Sequence, residues 1–389
     1  MDPNLLLFLL LPLAALSGWW LGRRQGRARR EEGGVMPGRY LKGLNYLLNE
    51  QPDKAIDLFI EMLDVDSDTV ETHLALGSLF RQRGEVDRAI RIHQNLIARP
   101  TLSKEQRALA LAELGQDYMR AGLLDRAETL FQELVESRPH RYTALCQLRD
   151  IYEQEKDWDK AIEVIRRLEQ ITGKGMRDIV AQYYCEKAEQ ANRQGENATA
   201  LKGIRRALSE DRQCVRASLL EGRIAGETGD WRGAVKAYLR VAEQDPDYLP
   251  EVVEPLSRAY RELGRMDEMA SFLRRNLVEH GGISLMLALA ERIRQDQGDA
   301  VAADFIKEYL KERPSVRGMD RLIELHLAST PEPIREKLQV LKDVTDQLIA
   351  NKPVYKCQQC GFTGRTLHWH CPGCKSWNTV KPIQGVEGE

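Results

Sequence analysis

Aromatic residues are only 6% of this 389-residue sequence, and signals for strands are scarce. With 30% of residues charged, that balance argues against a sheet-based core and suits stacked amphipathic helices. Catalytic signatures are missing too. There is no phosphate loop, no H-E-x-x-H and no nucleophile elbow. The nearest Gly-rich piece, Gly173-Lys174-Gly175, lacks the Walker spacing, and the seven histidines form no recognisable triad, so the chain does not read as an enzyme. Excess charge is absent: the net charge is −2, and five positive charges sit together in Arg23, Arg24, Arg27, Arg29 and Arg30. The remainder is net acidic, which excludes general nucleic-acid binding. Cysteine is sparse as well. Cys146, Cys185 and Cys214 are scattered with no pairing pattern, and the other four lie close to the C-terminus. A disulfide framework is therefore excluded in favour of a reducing compartment with a metal site.

What the chain does contain is a repeat. In Leu114–Phe131, LGQDYMRAGLLDRAETLF, a small residue (Gly115) and Tyr118 share one helix, Gly122 makes a turn, and Ala127 and Phe131 sit on a second helix. These are tetratricopeptide positions, a helix–turn–helix of about 34 residues. The small residues let two helices approach closely while the aromatic rings fill the space beside them. The turn position recurs at Glu50, Gly84, Gly122, Lys156, Gly195, Gly229, Gly264 and Gly298, at intervals of 34, 38, 34, 39, 34, 35 and 34. Five residues beyond each turn stand Ala55, Ala89, Ala127, Ala161, Ala200, Ala234, Met269 and Ala303. Amphipathicity alone has a 3.6-residue period, so this longer one marks a solenoid of stacked units. Repeats span about Tyr40–Pro314, and Met319–Thr330 with Ile334–Ala350 reads as a degenerate closing helix pair. On the first helix of each unit, Ser78, Arg81, Gln116, Arg120, Asp150, Glu153, Glu189 and Arg193 are expected to be exposed along a partner-binding groove. Cys146 and Cys185, at equivalent positions beside it, are read as packing residues.

Residues Leu5–Leu21 carry no charge, and as a helix they span about 26 Å, close to a hydrocarbon core of about 30 Å. Trp19 and Trp20 sit where an interfacial aromatic belt belongs. A cleaved signal peptide carries positive charge before its apolar run, but MDPN has none, and the arginines follow. The expectation is an uncleaved anchor with a periplasmic N-terminus and the bulk of the chain in the cytoplasm. The expected parts are thus a transmembrane helix (1–21), a basic linker (22–38), the repeat array (39–350) and a metal-binding segment (351–389).

That last segment reads CQQCGFTGRTLHWHCPGCKSW, with C-x2-C-x10-C-x2-C spacing over Cys357, Cys360, Cys371 and Cys374. Two C-x-x-C knuckles complete a tetrahedral shell of four sulfurs around one ion, iron or zinc. His368 and His370 are expected beside the shell rather than in it. Phe362, Trp369 and Trp377 are expected around the site or on the closing helices. So short a segment depends on its metal to fold.

The order of parts resembles the lipopolysaccharide assembly protein B family of Gram-negative bacteria, over essentially the whole chain. The apolar run Leu5–Leu21, the repeats through Ala350 and the two knuckles carry the resemblance. The knuckles are similar to those of rubredoxin, with Gly361 after the first pair and Pro372 inside the second; Lys375 stands where rubredoxin has glycine. The resemblance implies an all-α tetratricopeptide solenoid with a transmembrane helix and a small rubredoxin-like domain. It also implies an inner-membrane adaptor that presents the lipid A pathway deacetylase to a membrane-anchored AAA+ metalloprotease and helps gather lipopolysaccharide assembly proteins. The alternative function is a generic membrane-tethered scaffold, for instance in cytochrome maturation; a redox protein with an iron centre is a third.

Overall fold

The computed structural model describes residues 41–43, 45, 46, 54, 58 and 70–389, apart from 101, 328, 329, 351 and 387. The expected anchor Leu5–Leu21, the basic linker, Glu50 and Ala55 lie outside the described residues. Among the described residues no helix is long and apolar enough to cross a membrane.

The described residues are mostly helical and follow the repeat. Successive helix–turn–helix units are α1 (Val70–Gln82) with α2 (Val86–Ile97), α3 (Lys104–Arg120) with α4 (Leu124–Val135), and α5 (Arg141–Glu155) with α6 (Trp158–Thr172). They continue as α7 (Arg177–Arg193) with α8 (Asn197–Glu210), α9 (Val215–Glu227) with α10 (Trp231–Gln244), and α11 (Leu249–Glu262) with α12 (Met266–Glu279). The last two are α13 (Ile283–Gln297) with α14 (Asp299–Glu312), then α15 (Val316–Leu327) with α16 (Ile334–Ala350), the expected closing pair.

Every described turn position of the repeat has left-handed backbone: Gly84, Gly122, Lys156, Gly195, Gly229, Gly264 and Gly298 have φ between 60° and 94°. A Cβ added at Gly84, Gly122, Gly195, Gly229, Gly264 or Gly298 meets no atom within 4 Å, so conformation rather than space selects glycine there. Lys156 bears the strain that the glycines avoid, at φ 60°. Lys156→Gly is therefore expected to stabilise the chain by about 0.5–1 kcal/mol, after the added unfolded-state entropy is deducted. A raised urea midpoint checks this; an unchanged or lowered midpoint refutes it.

The small positions close each unit. Ala89, Ala127, Ala161, Ala200 and Ala234 are fully buried, and Met269 and Ala303 nearly so. Opposite them the first helix must also be thin. A Cβ on Gly115 would lie 2.7 Å from the Phe131 ring, and one on Gly222 would lie 2.5 Å from the Tyr238 ring.

The chain divides into two compact units, residues up to Gln147 and residues from Leu148. In the first, the buried Asp117 carboxylate is compensated by Arg81 Nη1 at 2.8 Å and His93 Nδ1 at 2.5 Å. Arg81 also binds Glu113 at 2.6 Å. Without such partners a polar group this deep would be left unsatisfied. The second unit has continuous apolar clusters running through α7–α9 and α9–α13. It also holds the small three-stranded antiparallel sheet of the C-terminal segment, ordered β2 (Thr363–Gly364), β1 (Tyr355–Cys357), β3 (Val380–Pro382).

Candidate metal centre and its seat on the repeats

Each knuckle is a tight backbone turn. In the first, Gly361 N donates to Cys357 O at 3.0 Å, and Gly361 takes φ 78°. In the second, Lys375 N donates to Cys371 O at 2.9 Å. Lys375 has φ 58°, so the residue that departs from the rubredoxin pattern adopts the conformation a glycine would take. The first turn begins on β1, which pairs Cys357 with Val380 of β3.

Four sulfurs converge as a result. Cys357, Cys360, Cys371 and Cys374 place all their Sγ atoms within 4.8 Å of one another. Cys357 Sγ is 3.8 Å from Cys374 Sγ, and Cys360 Sγ is 3.7 Å from Cys371 Sγ. A tetrahedral ion with metal–sulfur bonds of about 2.3 Å sets sulfur–sulfur edges near 3.8 Å, so the donor set fits one ion. Burial opposes ionisation of Cys357, but hydrogen bonds from Thr379 and from the backbone N–H groups of Cys360 and Gln359 outweigh it and bring the thiol down to about 6. Cys374 is lowered by its hydrogen bonds with the side chain and backbone of Ser376. At Cys360 a backbone hydrogen bond at Phe362 favours the thiolate, but desolvation and the neighbouring sulfurs outweigh it and hold the thiol up at about 11, so thiolate is favoured at Cys357 and Cys374. His368 and His370 lie beside the shell: His368 Nε2 is 3.0 Å from Thr366 Oγ1, and His370 Nε2 is 2.8 Å from Lys375 O.

The segment's own core is very small, with Cys357, Cys371 and Val380 buried and Phe362 packed against them. Its remaining stability comes from the repeats. Trp377 stands edge-on to Tyr183 (5.7 Å) and to Trp158 (6.2 Å), stacks on His370 (4.4 Å), and donates its indole N–H to Glu153 Oε1 at 3.0 Å. Trp369 stacks on Tyr248 at 5.4 Å, and Tyr248 Oη donates to Val380 O at 3.0 Å. Lys381 Nζ lies 2.8 Å from both Asp245 and Asp247. Glu389 accepts from Ser284 N (2.9 Å) and Oγ (2.7 Å) and pairs with Arg317.

These contacts change the expected use of the groove. The Arg216 guanidinium also lies over the Trp377 ring, and Tyr355 Oη donates to Glu251. The residues met by the segment, Glu153 on α5, Tyr183 on α7, Arg216 on α9, Glu251 on α11, Ser284 on α13 and Arg317 on α15, all belong to first helices of their units. From Leu148 onward, the face expected to be open for a partner is thus engaged by the chain's own C-terminal segment. Glu153, expected among the exposed groove residues, is committed to Trp377 and to the hydroxyl of Tyr183. Glu189 is likewise paired with Arg216 at 2.9 Å. Trp369 and Trp377 dock well before the closing helices, because the segment runs back along the array. Up to Gln147, Arg120 is exposed, and Arg81, Gln82, Gln116, Met119, Arg120 and Gln147 line an open surface depression of about 500 Å³.

One pairing was not legible from spacing. Cys185 and Cys214, both fully buried, bring their sulfurs to 3.8 Å across α7 and the start of α9. Cys146 remains part-buried elsewhere.

The seat also contains a pH-sensitive group. Burial holds the Glu251 carboxyl above its ordinary range, Glu389 pushes the same way, and the hydrogen bond from Tyr355 Oη (2.6 Å) opposes them. A raised carboxyl contributes stability that is complete below its unfolded pKa and is lost as pH rises through the folded one. Glu251→Gln is therefore expected to gain on the parent chain as pH rises from the ordinary carboxylate range, seen as a widening difference in urea midpoint. A difference that does not change with pH contradicts this.

Comparison with known proteins follows the same division. Residues 355–382 match a rubredoxin metal binding domain, and residues 72–108, 112–175 and 185–248 match tetratricopeptide repeats. The chain is 42% identical over 385 residues to lipopolysaccharide assembly protein B of Escherichia coli K12, covering 98% of this chain and 99% of that protein. It is 36% identical over 393 residues to the protein of the same name from Haemophilus influenzae, again with 98% and 99% coverage. Among solved structures, the C-terminal part of a TPR repeat-containing protein from Cytophaga hutchinsonii aligns at 14% identity with a TM-score of 0.40, over 64% of this chain and 99% of that one.

Proposed function

The chain belongs to the lipopolysaccharide assembly protein B family, and from that premise we propose that it is an inner-membrane adaptor restraining lipopolysaccharide synthesis. It presents the lipid A pathway deacetylase to a membrane-anchored AAA+ metalloprotease and helps gather other lipopolysaccharide assembly proteins. The observation that carries this reading is the end-to-end match to relatives named for lipopolysaccharide assembly. Repeats that are themselves protein-binding scaffolds support it.

In this account Leu5–Leu21 holds the chain in the membrane, with the repeats on the cytoplasmic side. Tethering raises the effective concentration of client and protease without chemistry in this chain. Cys357, Cys360, Cys371 and Cys374 hold one metal ion, iron or zinc, whose contribution is to cross-link the two knuckles. The C-terminal segment engages first-helix residues from α5 through α15, so the client enters on the first helices before Gln147, beside Gln116 and Arg120.

The test is the lifetime of the lipid A deacetylase in cells depleted of this protein. The adaptor reading expects a several-fold longer lifetime and accumulating lipopolysaccharide. An unchanged lifetime would sink it and leave a tethered scaffold with another client.

A further inference from the structure

The four sulfur ligands are not equally protected. Cys357 and Cys371 are buried, at 1% and 0% exposure, whereas Cys374 is part-buried and Cys360 is exposed. Cys360 Sγ lies 3.7 Å from Cys371 Sγ, which belongs to the other knuckle. A thiol that ligates a metal is deprotonated outright, however firmly it holds its proton when free, so an exposed ligand presents a nucleophilic sulfur to solvent. Cys185 and Cys214 supply the contrast. Their sulfurs are about as close, at 3.8 Å, but both residues are fully buried.

We propose that Cys360 is a modification site for hydroperoxides, with Cys371 as its resolving partner, and that this oxidation unseats the C-terminal segment. Cys360 Sγ attacks one peroxide oxygen, the O–O bond breaks and hydroxide leaves, and the sulfur, oxidised by two electrons, becomes a sulfenic acid. Cys371 Sγ then attacks that sulfur, the S–O bond breaks and a second hydroxide leaves. Two protons from solvent complete the balance: two thiolates become one disulfide, and hydrogen peroxide becomes two waters. Cys357 and Cys374 then remain as ligands, two short of a tetrahedral shell. A core of Cys357, Cys371 and Val380 is too small to keep the segment folded without its ion. Trp377 and Trp369 therefore leave Tyr183 and Tyr248, and the first-helix face from α5 onward is uncovered. This inference rests on the four cysteines holding a metal and is independent of the adaptor's client.

The test treats the full chain, purified with its metal in mild detergent, with a small excess of hydrogen peroxide. Metal content is measured before and after, and disulfides are mapped by peptide mass spectrometry. The expected result is loss of the one metal per chain, a Cys360–Cys371 disulfide, and Cys185 and Cys214 still reduced. Tryptophan fluorescence should shift to the red as the segment undocks, and a thiol reductant with added metal should reverse it. Metal retained under oxidant overturns the proposal. So does a first disulfide other than Cys360–Cys371, oxidation of Cys185 and Cys214 ahead of Cys360, or a segment still docked once the metal has gone. A chain without metal before any oxidant is added contradicts the metal reading itself and removes the proposal with it.

Discussion

Replacing Cys357 and Cys360 with serine is expected to release the whole C-terminal segment from the repeats. Its three strands comprise three, two and three residues, and its own buried core is two of the cysteines and Val380. That is far too little apolar surface to offset the entropy of ordering the segment. A four-thiolate ion contributes on the order of 10–16 kcal/mol to a small metal domain, so removing two ligands removes most of what holds the fold. Elemental analysis should fall from one metal per chain to none. Trp369 and Trp377 should become solvated, with red-shifted fluorescence, and protease should cut after α16, while far-UV circular dichroism retains the helical repeats. A variant that remains docked and protease-resistant contradicts this dependence.

Trp377→Ala separates docking from metal binding. The side chain packs against Tyr183, Trp158 and His370, and its N–H satisfies the part-buried Glu153 carboxylate. Truncation opens a ring-sized cavity and costs about 3–5 kcal/mol, with a further cost for the hydrogen bond lost by Glu153. All four cysteines remain, so metal content should stay at one per chain. Hydrogen exchange should quicken around Glu153 and Tyr183, at the end of the seat farthest along the array from Arg317. Unchanged exchange at both would show that the seat does not depend on this ring.

The repeats were legible because one backbone requirement recurs. A left-handed turn selects glycine, a close helix crossing selects alanine or glycine, and both recur at a nearly fixed interval, so even Lys156 could be placed by register. The metal shell was legible for a similar local reason, since each knuckle lies within four residues. What escaped reading is contact between distant residues. Glu153 and Trp377 are 224 positions apart, and nothing in a helical period distinguishes a carboxylate awaiting an indole from one facing water. The same limit hid the approach of Cys185 to Cys214. Tyr248 was equally opaque. Its buried ring reads as ordinary packing, although its hydroxyl fastens β3 to the array.

The most direct measurement is the lifetime of the lipid A deacetylase in cells whose only copy of this protein is Trp377→Ala. If the metal-bound segment docked on the repeats is the proposed adaptor's working form, the enzyme should persist as is expected on depletion, with the variant at normal abundance and metal content. Normal turnover, with the segment shown to be undocked, would contradict that account.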